Sequence, residues 1–167
     1  MFGLFKKDKK AGSDPCLLAP CDGKAIDITT LPYPVFADKI LGDGFAVNPS
    51  SEDKCDILSP VDGRIIDVQD SLHAYGIETP SGAEILVHVG INTVSLNGVG
   101  LNAHVKNGDK VKAGQPICTA DVALIHSKGL AASTVVLITN ADEYKNFSIA
   151  YGECKGGEST ILTAEKA

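Results

Sequence analysis

Two stretches forty residues apart constrain this chain more than anything else in it. "LLAPCDGKAIDI" (Leu17 to Ile28) and "ILSPVDGRIIDV" (Ile57 to Val68) share the order apolar, apolar, small, Pro, any, Asp, Gly, basic, any, Ile, Asp, β-branched or aliphatic. Such self-similarity marks one supersecondary unit written twice. In each copy Pro withholds a backbone donor and Asp-Gly supplies a turn, so the unit reads as strand, tight turn, strand. Further turn signals follow at short intervals, in "TPSG" (79–82), "LNGVG" (96–100), "KNGDK" (106–110), "KAGQ" (112–115) and "ECKGGE" (153–158), with runs rich in Val, Ile and Thr between them. The pattern predicts an all-β chain, an antiparallel sandwich or barrel built on a duplicated motif, with one or two short helical turns. Those turns fall on "DVALIHSKG", where Asp121 can cap and Gly129 can stop a helix, and on "NADEY", where Asn140 and Glu143 have capping-box spacing.

The chain has 167 residues, 44% of them hydrophobic, which is enough for one sizeable core. A single domain over 15–167 is expected, preceded by a tail over 1–14. The net charge of -6, with both signs interspersed, presents no polycationic face for nucleic acid. Five cysteines (Cys16, Cys21, Cys55, Cys118, Cys154) form no C-x-x-C pair and accompany no export signal, so reduced thiols and a cytoplasmic location are expected. "MFGLFKKDKK" sets apolar residues before lysines, the reverse of a signal peptide, and is too short to span a bilayer. Besides an ordinary frayed end, residues 1–10 suit an interfacial contact with anionic lipid, at most a peripheral one.

His88 interrupts the strand-like run "EILVHVGINTV" (84–94), and a second histidine, His73, precedes the strand-like "AYGIE". The two runs flank "TPSG" and should form a hairpin. If Glu78 opposes Ala83, then His73 opposes His88, with Cβ atoms about 4.5–5.5 Å apart on one face. A loop of odd length breaks that alignment. Side-by-side imidazoles admit several readings. They suit hydrogen-bonded core or rim residues. A zinc site needs further ligands, and His104 and His126 lie elsewhere without ligand spacing. A histidine base for a Ser or Cys nucleophile lacks a recognisable nucleophile motif. An imidazole can itself be the nucleophile toward phosphorus, its neighbour donating to the phosphoryl oxygens.

"GAEILVHVGINTV" (Gly82 to Val94) resembles the phosphorylation-site signature of the glucose-type enzyme IIA family of the bacterial sugar phosphotransferase system. The likeness extends through "APCDGKAIDI", "VFADKILGDGFAVNP", "SPVDGRI", "HAYGIET" and "NGDKVKAGQPI", roughly residues 16–163. It implies a β-sandwich carrying a phosphohistidine at His88 and a partner histidine at His73. The Gly90 carbonyl would hold the Nδ1 proton of His88, and Ser71 stands where a Thr is usual. Tyr75 replaces a usual Phe, and Asn92 a common Asp. The resemblance further implies phosphoryl transfer from the small carrier protein HPr to a cysteine on the IIB domain of a sugar permease, without metal or other cofactor. An apolar docking patch maps onto Phe36, Ile40, Leu41, Leu86 and Val94. Non-PTS regulatory targets are compatible with it, and the module reads as free-standing. Two other readings stand beside this one. A regulatory module with unreactive histidines would use the same fold. Biotinyl and lipoyl carriers share "SPVDG" and "GDKVKAGQPI", but they need a modified lysine at a hairpin tip, commonly beside Met, and the single Met here is Met1.

Overall fold

The duplicated motif folds alike in both copies, and neither copy is a hairpin. The computed structural model describes residues 14–167, so the contact expected of residues 1–10 lies outside the described residues. The first copy supplies β1 (Cys16–Leu18) and β2 (Gly23–Ile26), the second β4 (Lys54–Leu58) and β5 (Gly63–Val68). Strand β1 pairs with β14 (Thr160–Lys166), whereas β2 pairs with β3 (Asp43–Pro49) and β13 (Gly152–Cys154). Likewise β4 pairs with β10 (Pro116–Asp121), whereas β5 pairs with β6 (Ala74–Glu78) and β9 (Lys110–Val111). Each Pro-x-Asp-Gly turn is therefore a corner that passes the chain between sheets.

The corners lie inside the molecule, and this decides their geometry. Ala19 and Ser59 are fully buried, so their neighbours' backbone groups must find partners within the protein. They find them in the other copy: Leu18 N–H donates to the Pro60 carbonyl (2.8 Å) and Leu58 N–H to the Pro20 carbonyl (2.7 Å). The repeated Asp does matching work, since Asp22 accepts from Gly156 N–H (2.8 Å) and Asp62 from Ala113 N–H (2.7 Å). These matched bonds relate the copies by an approximate two-fold.

The central sheet runs β13-β2-β3-β11-β7-β6-β5-β9, with β7 (Glu84–Val89) and β11 (Thr134–Ile138) in the middle. Two three-stranded sheets complete the sandwich, β1-β14-β12 and β4-β10-β8, with β8 at Leu101–Ala103 and β12 at Tyr144–Ile149. All pairings are antiparallel. One face of the central sheet (Phe45, Val47, Tyr75, Ile77, Val87, Val136) packs into the main core. The other face carries a smaller cluster, in which Ala46, Val135 and Leu137 are covered by Ile28, Leu31 and Phe36. Strand β11 is consequently buried on both sides, which is why "TVVLI" shows no alternation.

Helix is confined to connections. Helix α1 (Pro34–Ala37) starts with Pro34, whose fixed φ suits a first turn. Helix α2 (Val122–Ser127) begins as expected, with the Asp121 carboxylate accepting from Leu124 N–H at 3.0 Å. Three 3-10 turns, Ile28–Thr30, Thr93–Leu96 and Ala141–Glu143, complete the set among the described residues. Asn140 makes no capping box. Its amide instead accepts from Glu84 N–H (2.9 Å) and donates to the Gly82 carbonyl (3.0 Å), pinning the loop between β6 and β7.

Strands β6 and β7 form the expected hairpin one residue out of the expected register. Glu78 opposes Glu84 and Ala74 opposes His88, so the loop is the five residues 79–83. Thr79 closes it with its side chain, accepting from Ala83 N–H at 3.0 Å. An extra residue in that loop is what shifts the ladder.

Candidate functional site

His88 occupies the outer face of β7, in the row that also holds Ala74 on β6 and Val135 on β11. That face is the one roofed by the smaller cluster, and Phe36 of α1 meets the imidazole edge to face, ring centroids 5.1 Å apart and planes at 69°. Phe36 is 3% exposed, so it is a wall of the site as much as a member of any rim.

His73 reaches His88 despite the shifted register. Its ring lies 5.1 Å from that of His88 at 78°. Under strict alternation, His73 would point to the opposite face from His88. It does not, because β6 begins only at Ala74: His73 sits in a bend that follows Leu72, whose φ is +61°. The backbone is still anchored there, as Val89 N–H donates to the His73 carbonyl at 2.7 Å. The expected neighbours are thus neighbours, by a bend rather than by direct opposition. Ser71 is half-buried in the same turn, which Leu72 N–H closes on the Gln69 carbonyl (2.8 Å).

Orientation of His88 comes from two residues downstream. Nδ1 lies 2.8 Å from the Gly90 carbonyl oxygen. A carbonyl only accepts, so the proton resides on Nδ1 and Nε2 keeps its lone pair. Gly90 adopts φ +76°, and a Cβ there would stand 2.4 Å from Thr93 Cγ2, so glycine is needed. Asn92 follows at φ +60°, exposed, leading into the 3-10 turn that bears Val94.

Burial of the His88 ring pushes its pKa down to about 4; the Gly90 bond opposes this in part, and the neighbouring His73 adds to it. Burial likewise holds His73 below the usual histidine value. Both rings are accordingly neutral at pH 7. Nδ1 of His73 is buried without a hydrogen-bond partner among the described residues. The pair combines an oriented neutral imidazole with a second imidazole beside it.

Of the apolar patch residues, Ile40, Leu41 and Val94 are exposed, with Ile40 at 66%, while Leu86 is half-buried and Phe36 buried. Val35, next to Phe36 on α1, is a further exposed apolar residue. On that single helical turn Phe36 faces in and Val35 faces out. Tyr75 points away from the site into the main core, its hydroxyl against the Cys118 thiol. His104 bonds Thr119 (2.7 Å) and His126 ends α2, so neither joins the pair. Among the described residues no three metal-binding side chains come together. A cleft of about 1020 Å³ is lined by Thr79, Pro80 and Ser81, at the far end of the β6–β7 hairpin from His88.

Residues 16–144 match the family described as phosphoenolpyruvate-dependent sugar phosphotransferase system, EIIA 1. A "PTS system glucose-specific EIIA component" of Halalkalibacterium halodurans is 41% identical, over 98% of this chain and 95% of that protein. The protein of that name in Staphylococcus aureus is 35% identical, over 87% of this chain and 86% of its own length. Among solved structures, glucose permease IIA from Mycoplasma capricolum superposes with a TM-score of 0.80 at 36% identity, covering 88% of this chain and 94% of that one.

Proposed function

The chain belongs to the EIIA 1 family of the phosphoenolpyruvate-dependent sugar phosphotransferase system, a phosphotransferase component that carries phosphoryl groups, and from that premise we propose that His88 is the residue that carries them. The observation that supports this most is the Nδ1–H bond to the Gly90 carbonyl, which leaves Nε2 as the nucleophilic nitrogen.

In this reading HPr is the donor and the IIB domain of a glucose-type permease the acceptor. The Nε2 lone pair of His88 attacks phosphorus in line as the donor's N–P bond breaks, and the proton stays on Nδ1 throughout, donated in the hydrogen bond to the Gly90 carbonyl. No general base is required, because the nucleophile is already neutral. The arriving phosphoryl group is dianionic, and an opposite charge nearby favours the protonated form of His73. His73 then donates to the equatorial oxygens and stabilises the loose transition state of the onward step, with Ser71 a further hydroxyl in the same turn. Gly90 positions the ring. Phe36 excludes water on one side, while Ile40, Leu41, Leu86 and Val94 dock partner proteins.

A site that serves two macromolecular partners needs an open apolar rim more than a deep cavity, and the cleft at the other end of the hairpin plays no part in it. Residues 15–167 act as one domain. A cytoplasmic location fits the five free thiols, and among the described residues no helix is long and apolar enough to cross a membrane. The test is incubation with phosphoenolpyruvate, enzyme I and HPr, followed by mapping of the phosphate. Acid-labile, base-stable label on His88 is expected. Stoichiometric label on His88→Gln would sink the assignment, and no label on the folded wild-type chain would favour a purely regulatory module.

A further inference from the structure

Among the described residues, the non-glycine positions with positive φ are Lys39, Leu72, Asn92, Asn97 and Asn146. Asparagine tolerates the left-handed region, and Lys39 is exposed in the turn after α1. Leu72, at +61°, is the apolar, half-buried exception, and it immediately precedes His73. A bulky apolar side chain gains nothing locally from that conformation, so the surroundings must hold it there. Backbone bonds close the bend, from Leu72 N–H to the Gln69 carbonyl (2.8 Å) and from Gln69 N–H to the Ala74 carbonyl (3.0 Å). The side chain is held as well. It packs against the main core and lies over Gly98, where a Cβ would stand 3.7 Å from Leu72 Cδ1.

Gly98 is a firm seat. It belongs to the segment 90–100, which starts with the Gly90 carbonyl on His88 Nδ1 and ends against α2, where a Cβ on Gly100 would stand 2.9 Å from Leu124 Cδ2. The Gly98 carbonyl accepts from Leu101 N–H (3.1 Å) and the Gly100 carbonyl from Asp121 N–H (2.8 Å), which tie this end to β8 and β10. We propose that Leu72 is a positioning residue for His73: its side chain, seated on Gly98, holds the left-handed backbone that turns the His73 ring toward His88. One segment then sets both imidazoles, His88 through the Gly90 carbonyl and His73 through Leu72. The functional consequence rests on the reading in which His73 serves the onward transfer, because Leu72 acts on the phosphoryl group only through that ring.

NMR of the full chain tests the geometry without any phosphoryl transfer. Wild type should show cross-peaks between the His73 and His88 ring protons, and from the Leu72 methyls to the Gly98 Hα protons. Leu72→Ala removes the seat and keeps the disfavoured backbone, so the contact between the rings should be lost. Leu72→Asn also removes the seat but tolerates the left-handed region unaided, so the rings should stay together. In rapid-quench assays Leu72→Ala should lower delivery to IIB roughly 100-fold, the effect of a misplacement of about 1 Å, with acceptance from HPr falling less than about tenfold and Leu72→Asn recovering delivery to within about tenfold of wild type. In a His73→Gln background Leu72→Ala should change delivery by less than about twofold, which a merely structural role would not give. Missing Leu72–Gly98 cross-peaks in wild type, ring contact that persists in Leu72→Ala or is lost equally in Leu72→Asn, or an undiminished loss in the His73→Gln background would each overturn the proposal. Circular dichroism checks folding, and if Leu72→Ala does not fold, the wild-type cross-peaks and Leu72→Asn decide. If His73→Gln itself delivers normally, the role of His73 fails, and the ring contacts still decide whether Leu72 places it.

Discussion

From Ile26 the first copy of the motif takes sixteen residues, 27–42, to reach β3, whereas from Val68 the second takes five, 69–73, to reach β6. The corners that precede these exits are near-identical in sequence and in hydrogen bonding; the exits share nothing. Yet both end at His88, with ring centroids at the same 5.1 Å: the long exit brings Phe36, the short one His73. Duplication provides a symmetric frame, and chemistry arises where the symmetry is broken. One exit contributes an apolar roof against the His88 ring. The other contributes a second imidazole beside it.

That division can be broken from either side. Removing the roof should act first on stability: Phe36→Ala leaves a cavity over the smaller cluster and should cost about 3–5 kcal/mol in denaturant unfolding, a typical value for a buried Phe. With water admitted, the His88 pKa should also rise from about 4 toward its ordinary 6.5. Changing the other exit should act on rate. In His73→Gln the nucleophile and its Gly90 orienter remain, so acceptance from HPr should survive in part. Delivery to IIB loses a donor able to carry positive charge, and should fall by roughly 100- to 1,000-fold. Rapid-quench measurement of the two half-reactions checks this. Equal losses in both would reduce His73 to a support for the fold, and unimpaired delivery would remove it from the site.

The roof also makes a pH-dependent contribution. Because the folded pKa of His88 is lowered, the unfolded chain binds its proton more readily. Stability from this source is present above about pH 6.5 and is lost as pH falls toward 4. A shift from 6.5 to about 4 corresponds to about 3 kcal/mol, so wild type should lose that much more than His88→Gln on acidification from pH 7 to pH 4. Parallel stability curves for the two would show that the ring is not held neutral by its surroundings. The smallest effect tests the symmetric half of the comparison. Asp22→Ala and Asp62→Ala each remove one carboxylate-to-backbone bond at equivalent corners, and should cost similar amounts, about 1 kcal/mol, with phosphoryl transfer unchanged. A large difference between them would mean that the corners are not equivalent.

These contrasts also explain what the sequence disclosed. The repeat, the turns and the β-rich runs are local signals, and they were enough for an all-β sandwich on a duplicated motif. What the repeat could not disclose is that its strands enter different sheets, since Pro-x-Asp-Gly suits a corner as well as a hairpin; burial of Ala19 and Ser59 decides that, and burial is a property of the whole chain. The histidine pair was legible as a pair, though its stated geometry was wrong by one residue. The side chain of Thr79 and the bridge from Asn140 hold a five-residue loop where four were read, and the second of these contacts comes from 58 residues away. The bend at Leu72 then restored the contact that the shifted ladder would have lost. Phe36 as a wall on His88 was invisible for a similar reason: its closeness depends on how the long exit folds back over β11, which no local pattern records.

Both exits converge on a His88 held neutral, with Nδ1 protonated and Nε2 free. Nitrogen NMR of the 15N-imidazole group, followed from pH 8 to pH 4 and again after phosphorylation, reads this directly. Expected are a single Nδ1–H tautomer, no titration near 6.5, protonation only as pH approaches about 4, and a phosphorylation shift at Nε2. An Nε2–H tautomer, an ordinary midpoint near 6.5, or phosphate on Nδ1 would contradict this.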